Sequence, residues 1–161
     1  MNQSAVRLGL RTLLTLIAAG GLAYDAYAHF DLAATYDVIK TSTLSQGDLF
    51  RAEGVAAIAA AAAVVLRPRR YTALLALAVA ASALGAVLLY RYNNVGAIGP
   101  IPSMYEPAWY PEKTQSAWAE GIAAAASIAL FAVVHLDRRH RVADDATGSP
   151  PSDESAATLA R

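Results

Sequence analysis

The sequence predicts an all-α protein: a four-transmembrane-helix bundle with a structured loop cap on its outer side. Three observations lead there. Of 161 residues, 56% are hydrophobic and only 16% charged, and the mean hydropathy is positive, a balance typical of membrane proteins rather than soluble domains. Four segments reach the length of about 20 residues that a helix needs to cross a bilayer. Arginines gather at alternate span ends, so the segments read as two hairpins with a common direction.

The first span runs from about residue 8 to residue 30, with Arg7 and Arg11 at its start. Its Ala26-Tyr27-Ala28 also resembles a signal-cleavage site. The polar Asp25 beside it, and three later spans that gain from packing on this helix, favour a retained helix. The second span, 46–66, has a charge-free stretch of only Val55 to Leu66, so its helix must begin earlier. Ser45-Gln46-Gly47-Asp48 supplies the start, with the spacing of a capping box. The third span, 71–92, follows the arginine turn Arg67, Arg69 and Arg70. The fourth, 111–136, opens on Pro111, a residue suited to a first helical turn, and closes on Arg138, Arg139 and Arg141. Together these make a transmembrane domain over 1–141. Residues 142–161 are rich in Asp, Ser, Pro and Ala and read as a disordered tail that buries too little to fold.

The positive-inside rule places both termini in the cytoplasm and both long loops outside, in the plasma (inner) membrane. Only Lys40, Arg51, Arg91 and Lys113 fall on the outer side, where Tyr90, Tyr92, Tyr105, Trp109, Tyr110 and Trp118 form an interfacial aromatic belt.

Ala52-Glu53-Gly54 and Ala119-Glu120-Gly121 each open an alanine-rich run, 67 residues apart. Since both sit at an outer helix start, they suggest a parallel two-plus-two hairpin repeat. Helical rise gives their depth. Asp25 lies 14 residues beyond Arg11, Glu53 lies 14 before Arg67 and Glu120 lies 17 before Asp137. At 1.5 Å per residue, all three acids stand roughly 21 to 26 Å up a core of about 30 Å. His29 is one turn above Asp25 on the same face, and Arg51 and Arg91 reach a similar level. Buried charges need partners. This layer therefore reads in two ways. Arg51 and Arg91 neutralise Asp25, Glu53 and Glu120, or Asp25, His29, Glu53 and Glu120 form an outward-facing site for a divalent cation, a proton or a cationic ligand.

The second outer loop, Gly99 to Lys113, holds Met104, Tyr105, Glu106, Trp109 and Tyr110 between prolines that stiffen it. It reads as a lid over the polar layer or as a rigid binding surface.

Several classes are excluded. A net charge of zero argues against nucleic acid as a partner. The absence of cysteine removes disulfides, Fe–S clusters and thiolate metal sites. His29 and His135 fall at opposite depths, so no bis-histidine haem is expected, and no Glu-x-x-His pair suggests a di-iron centre. No phosphate loop, nucleophile elbow or catalytic triad is visible, which leans against an enzyme.

The run from Ser45 to Glu53, the Leu89-Tyr90-Arg91-Tyr92 segment and the loop from Gly99 to Lys113 resemble small uncharacterised bacterial four-helix membrane proteins. A looser similarity to DoxX-like proteins rests on size and helix count. The resemblance implies a fold and no activity or cofactor. Three functions are therefore expected in turn. The first is a non-enzymatic accessory or interaction subunit of a larger membrane complex or homo-oligomer. The second is an outward-facing cation, proton or small-ligand binding protein, and the third is a quinone-linked redox component.

Overall fold

A computed structural model of the chain describes residues 3–147 and is all-helical, with no strand among the described residues. The helices are α1 (Gln3–Ala33), α2 (Gln46–Leu66), α3 (Arg70–Tyr92) and α4 (Pro111–Thr147). All four are long and apolar enough to cross a membrane. α1 overruns the expected first span at both ends. α4 continues to Thr147, so helix extends into the segment expected to be a disordered tail; residues 148–161 lie outside the described residues.

The second helix begins where its capping chemistry requires. Ser45 Oγ accepts from the Asp48 amide at 3.0 Å, and Asp48 Oδ2 accepts from the Ser45 amide at 3.0 Å. Both orphan donors of the first turn are thus satisfied. At the other end the turn to α3 is held by Thr72, whose hydroxyl donates to the Arg67 carbonyl at 2.6 Å and accepts from the Arg69 amide at 3.0 Å. Arg11 of α1 donates to the Pro68 carbonyl and ties the first helix to that turn.

α1 packs on α2 and α4, α3 packs on α4, and α2 lies less closely on α3. The interior is built largely from small residues: Ala57, Ala60 and Val64 of α2; Ala73, Ala76, Ala80 and Ala83 of α3; and Ala123 of α4, with Leu22 and Leu130 the largest apolar side chains fully enclosed. The spacing of three and four residues puts each set on one helix face. Larger apolar residues such as Leu13, Leu16, Ile58, Leu66, Leu74, Leu75, Ile122 and Ile128 point outward. Small inside and large outside is the reverse of a soluble core. It suits helices solvated by hydrocarbon, where close backbone approach at small residues drives association.

Glycine marks the closest approaches. A Cβ at Gly21 of α1 would lie 2.7 Å from the Ala119 carbonyl and 2.9 Å from Ala123 Cβ of α4. At Gly54 of α2 it would meet the Phe30 ring of α1.

The two long loops lie at one end and bind each other. Thr41 Oγ1 donates to the Pro100 carbonyl at 2.8 Å, and the Tyr36 and Tyr110 hydroxyls are 2.7 Å apart. In the second loop Ile98 and Ile101 exchange backbone hydrogen bonds at 3.0 Å around Gly99, whose φ of +58° explains the glycine. Further on, the Glu106 amide donates to the Tyr90 carbonyl at 3.1 Å, and Lys113 Nζ donates to the Glu106 carbonyl.

Candidate functional site

The site grows from one turn of α1 and one turn of α4. Asp25 and His29 are four apart on α1, and Ser116 and Glu120 four apart on α4, so each pair stacks on one face. The tight α1–α4 contact at Gly21 brings those faces together.

Asp25 and Glu120 are both fully buried, at 0% exposure. His29 Nδ1 lies 2.8 Å from Asp25 Oδ1 and 3.0 Å from the Asp25 carbonyl. With Nδ1 committed there, Nε2 is the ring nitrogen left for another partner. Ser116 Oγ lies 2.7 Å from Glu120 Oε1 and 3.3 Å from Asp25 Oδ1. One ligand atom from each of Asp25, His29 and Glu120 lies within 4.8 Å of the other two.

The cluster has four carboxylate oxygens, one hydroxyl proton and one imidazole N–H. Asp25 Oδ2 and Glu120 Oε2 are buried without a partner. Glu53, half-buried on α2, also has an unpartnered buried oxygen, Oε1. Each unsatisfied buried acceptor costs about 1–3 kcal/mol, and more if charged.

The arginines are placed differently from the neutralising role considered from sequence. Arg51 turns to the first long loop, where Nη2 bonds Asp37 Oδ2 at 2.7 Å and Nη1 lies 3.3 Å from Asp48 Oδ1. The Arg51 guanidinium, helped by the Ser45 hydroxyl, holds the Asp37 carboxyl below its ordinary range. Arg91 lies over the Tyr92 and Trp109 rings at 5.1 and 5.7 Å. Among the described residues no Lys or Arg forms an ion pair with Asp25, Glu53 or Glu120.

Beside the cluster lies a half-open cleft of about 650 Å³. His29, Glu53 and Ser116 line it at the cluster, and Gln46 lines it with its Oε1 unpartnered. Leu32, Leu49, Phe50, Ala83, Val87 and Ile101 form apolar walls, drawn from α1, α2, α3 and the second loop. Of the loop residues singled out from sequence, Met104, Glu106 and Tyr110 line the cleft, while Tyr105 and Trp109 are exposed. Burial, then the Tyr36 hydroxyl, pushes the Tyr110 phenol above its ordinary value.

Sequence reasoning missed Ser116, although its position four residues before Glu120 was a usable signal. It also missed the Asp37–Arg51 pair, which joins a loop to a helix and leaves no periodic trace. His135 stacks on Phe131 with ring centroids 5.8 Å apart, and Asp137 lies 3.7 Å from Arg7. Both are far along α4 from the cluster.

No family model, curated protein or solved structure matches the chain.

Proposed function

We propose that this chain is a multi-pass membrane protein that holds a small amphipathic molecule in the cleft at its loop end. The carrying observation is the cleft itself, mainly apolar in its lining, with His29, Glu53 and Ser116 among the polar groups that line it. Binding pockets typically combine mainly apolar walls with a few placed polar groups, in volumes of about 300–1,000 Å³. Lys113 and Tyr110 in its lining supply donors, and Glu53 supplies an acceptor. A lipid or a membrane quinone has this division of surface.

The orientation proposed is termini in the cytoplasm and cleft outward, supported by Arg7, Arg11, Arg67, Arg69 and Arg70 at the opposite end. In this reading the helices form a membrane bundle of two related hairpins. Gly54 sits against Phe30 of the helix before it, and Gly121 against Leu84 of the helix before it. That parallel supports the repeat.

Native mass spectrometry of protein released from lipid nanodiscs tests the function. Wild type should retain one amphiphile per chain, and Ala86→Trp, which fills the cleft wall, should lose it. No retained molecule, or equal retention by both proteins, removes the proposal.

A second reading, an accessory subunit of a membrane complex, draws support from the exposed Tyr105 and Trp109 on a loop braced at both ends. It requires that a Trp109→Ala variant lose partners that copurify with wild type under mild detergent.

A further inference from the structure

We infer that Asp25, His29 and Glu120 form a binding site for one divalent transition-metal cation, lying between α1 and α4 beneath the cleft. The inference is independent of what fills the cleft.

Two carboxylates are fully enclosed, with no Lys or Arg paired to either among the described residues. Enclosed carboxylates whose only close basic group is an imidazole, with no Lys or Arg beside them, are costly in any protein and more so in a membrane. One divalent cation balances two carboxylates and a neutral imidazole. A monovalent ion leaves one negative charge over.

A tetrahedral ion with bonds of about 2.0–2.1 Å holds its ligand atoms about 3.3 Å apart. Asp25 Oδ1 and His29 Nδ1 are 2.8 Å apart, and one ligand atom of each of the three residues is within 4.8 Å of the others. Reaching that spacing from separations of up to 4.8 Å takes side-chain movements that shorten them by at most about 1.5 Å. In the metal-bound form the cation takes the place of the proton that His29 Nδ1 shares with Asp25 Oδ1, and that proton moves to Nε2.

The unpartnered atoms point the same way. Glu120 Oε2 is a buried lone pair without a donor, as expected of a ligand oxygen in a site built for a cation, and Asp25 Oδ2, the second oxygen of the carboxylate that meets His29 through Oδ1, is also without one. Ser116 supports the site from outside. Its hydroxyl binds Glu120 Oε1 at 2.7 Å and fixes that carboxylate's orientation, the task of an outer-shell partner.

Donor chemistry selects the class of ion. Two carboxylates with an imidazole favour zinc, manganese, cobalt or ferrous iron, while Mg²⁺ and Ca²⁺ prefer all-oxygen cages.

Co²⁺ is the probe, because its visible ligand-field bands report coordination directly. Full-length protein with a histidine-free tag is purified in detergent, stripped with chelator, dialysed and titrated with CoCl₂. The expected result is one Co²⁺ per chain with visible bands, displaced by Zn²⁺. Glu120→Gln and His29→Gln, which keep side-chain size and polarity, should each weaken Co²⁺ binding by about 100-fold or more, beyond the loss typical of an outer-shell partner. Glu112→Gln, outside the cluster, should bind as wild type does. Helical circular dichroism and a monodisperse elution profile establish that each variant is folded. Wild type that binds no Co²⁺ overturns the inference whatever the variants do. Binding that survives in both folded cluster variants overturns the assignment to these residues. In either case amphiphile retention in the cleft remains a separate result.

Discussion

Gly20 and Gly21 are neighbours on α1 and look equivalent in sequence, yet the fold treats them oppositely. A Cβ at Gly20 meets nothing within 4 Å, whereas at Gly21 it lies 2.9 Å from Ala123 Cβ and 2.7 Å from the Ala119 carbonyl. Carbon atoms rest at about 3.5–4.0 Å, so Gly21→Ala must push α1 and α4 apart by about 0.6–1.1 Å. Overpacking of this kind costs about 1–3 kcal/mol. Gly20→Ala gains helix propensity and should be neutral or stabilising by up to about 1 kcal/mol. The two variants should therefore differ by about 2 kcal/mol in unfolding free energy, measured by circular dichroism during SDS titration in mixed micelles. The same displacement separates Asp25 from Glu120, because Gly21 is one turn from Asp25 and Ala119 adjoins Glu120. Gly21→Ala should thus also weaken Co²⁺ binding, and Gly20→Ala should not. Equal stabilities for the two variants would refute the α1–α4 contact on which the cluster depends.

Four further outcomes follow from the geometry. Gly47→Ala drives a Cβ into the Asp37 carboxylate and the Ala33 carbonyl, so it should release the first loop, read as faster proteolysis between α1 and α2. Arg51 holds Asp37 below its ordinary range. Its contribution to loop stability is therefore complete above the unfolded carboxylate pKa and disappears as pH falls through the lowered folded value; Arg51→Gln should move the Asp37 midpoint up in a carboxyl NMR titration. Tyr36→Phe and Tyr110→Phe each remove the hydroxyl pair between the loops, costing about 0.5–1.5 kcal/mol, and the double variant should cost little more than either alone. Because burial and Tyr36 raise the Tyr110 phenol, loop docking is stable below the ordinary tyrosine pKa and is lost at higher alkalinity; absorbance at 295 nm should show an ionisation above the ordinary tyrosine value that Tyr110→Phe lacks.

The helices were legible because their signals are local. Ser45 and Asp48 announce the start of α2, Pro111 that of α4, and the arginine turn separates α2 from α3. Position along a helix is also readable, since rise per residue is constant, and the count puts at one level Asp25 and Glu120, which the fold brings together across Ser116. Rotation between helices was not. Whether Glu120 faces Asp25 depends on which alanines and glycines allow close approach, and α4 contains too many alanines for the pattern to choose one face. For the same reason Arg51 was set beside the acids by height alone. Its partner, Asp37, lies in an irregular loop whose path no periodicity encodes. The cleft also escapes the sequence, because it depends on α2 and α3 packing less closely on each other than either does on its other neighbour.

The most direct test of the cation site is anomalous diffraction from crystals of the purified protein equilibrated with Zn²⁺, collected on both sides of the zinc absorption edge. One strong anomalous peak is expected between α1 and α4, about 2.0–2.2 Å from an oxygen of Asp25, an oxygen of Glu120 and a nitrogen of His29. A peak confined to the exposed acids of the loops, or none at all between these three residues, would contradict it.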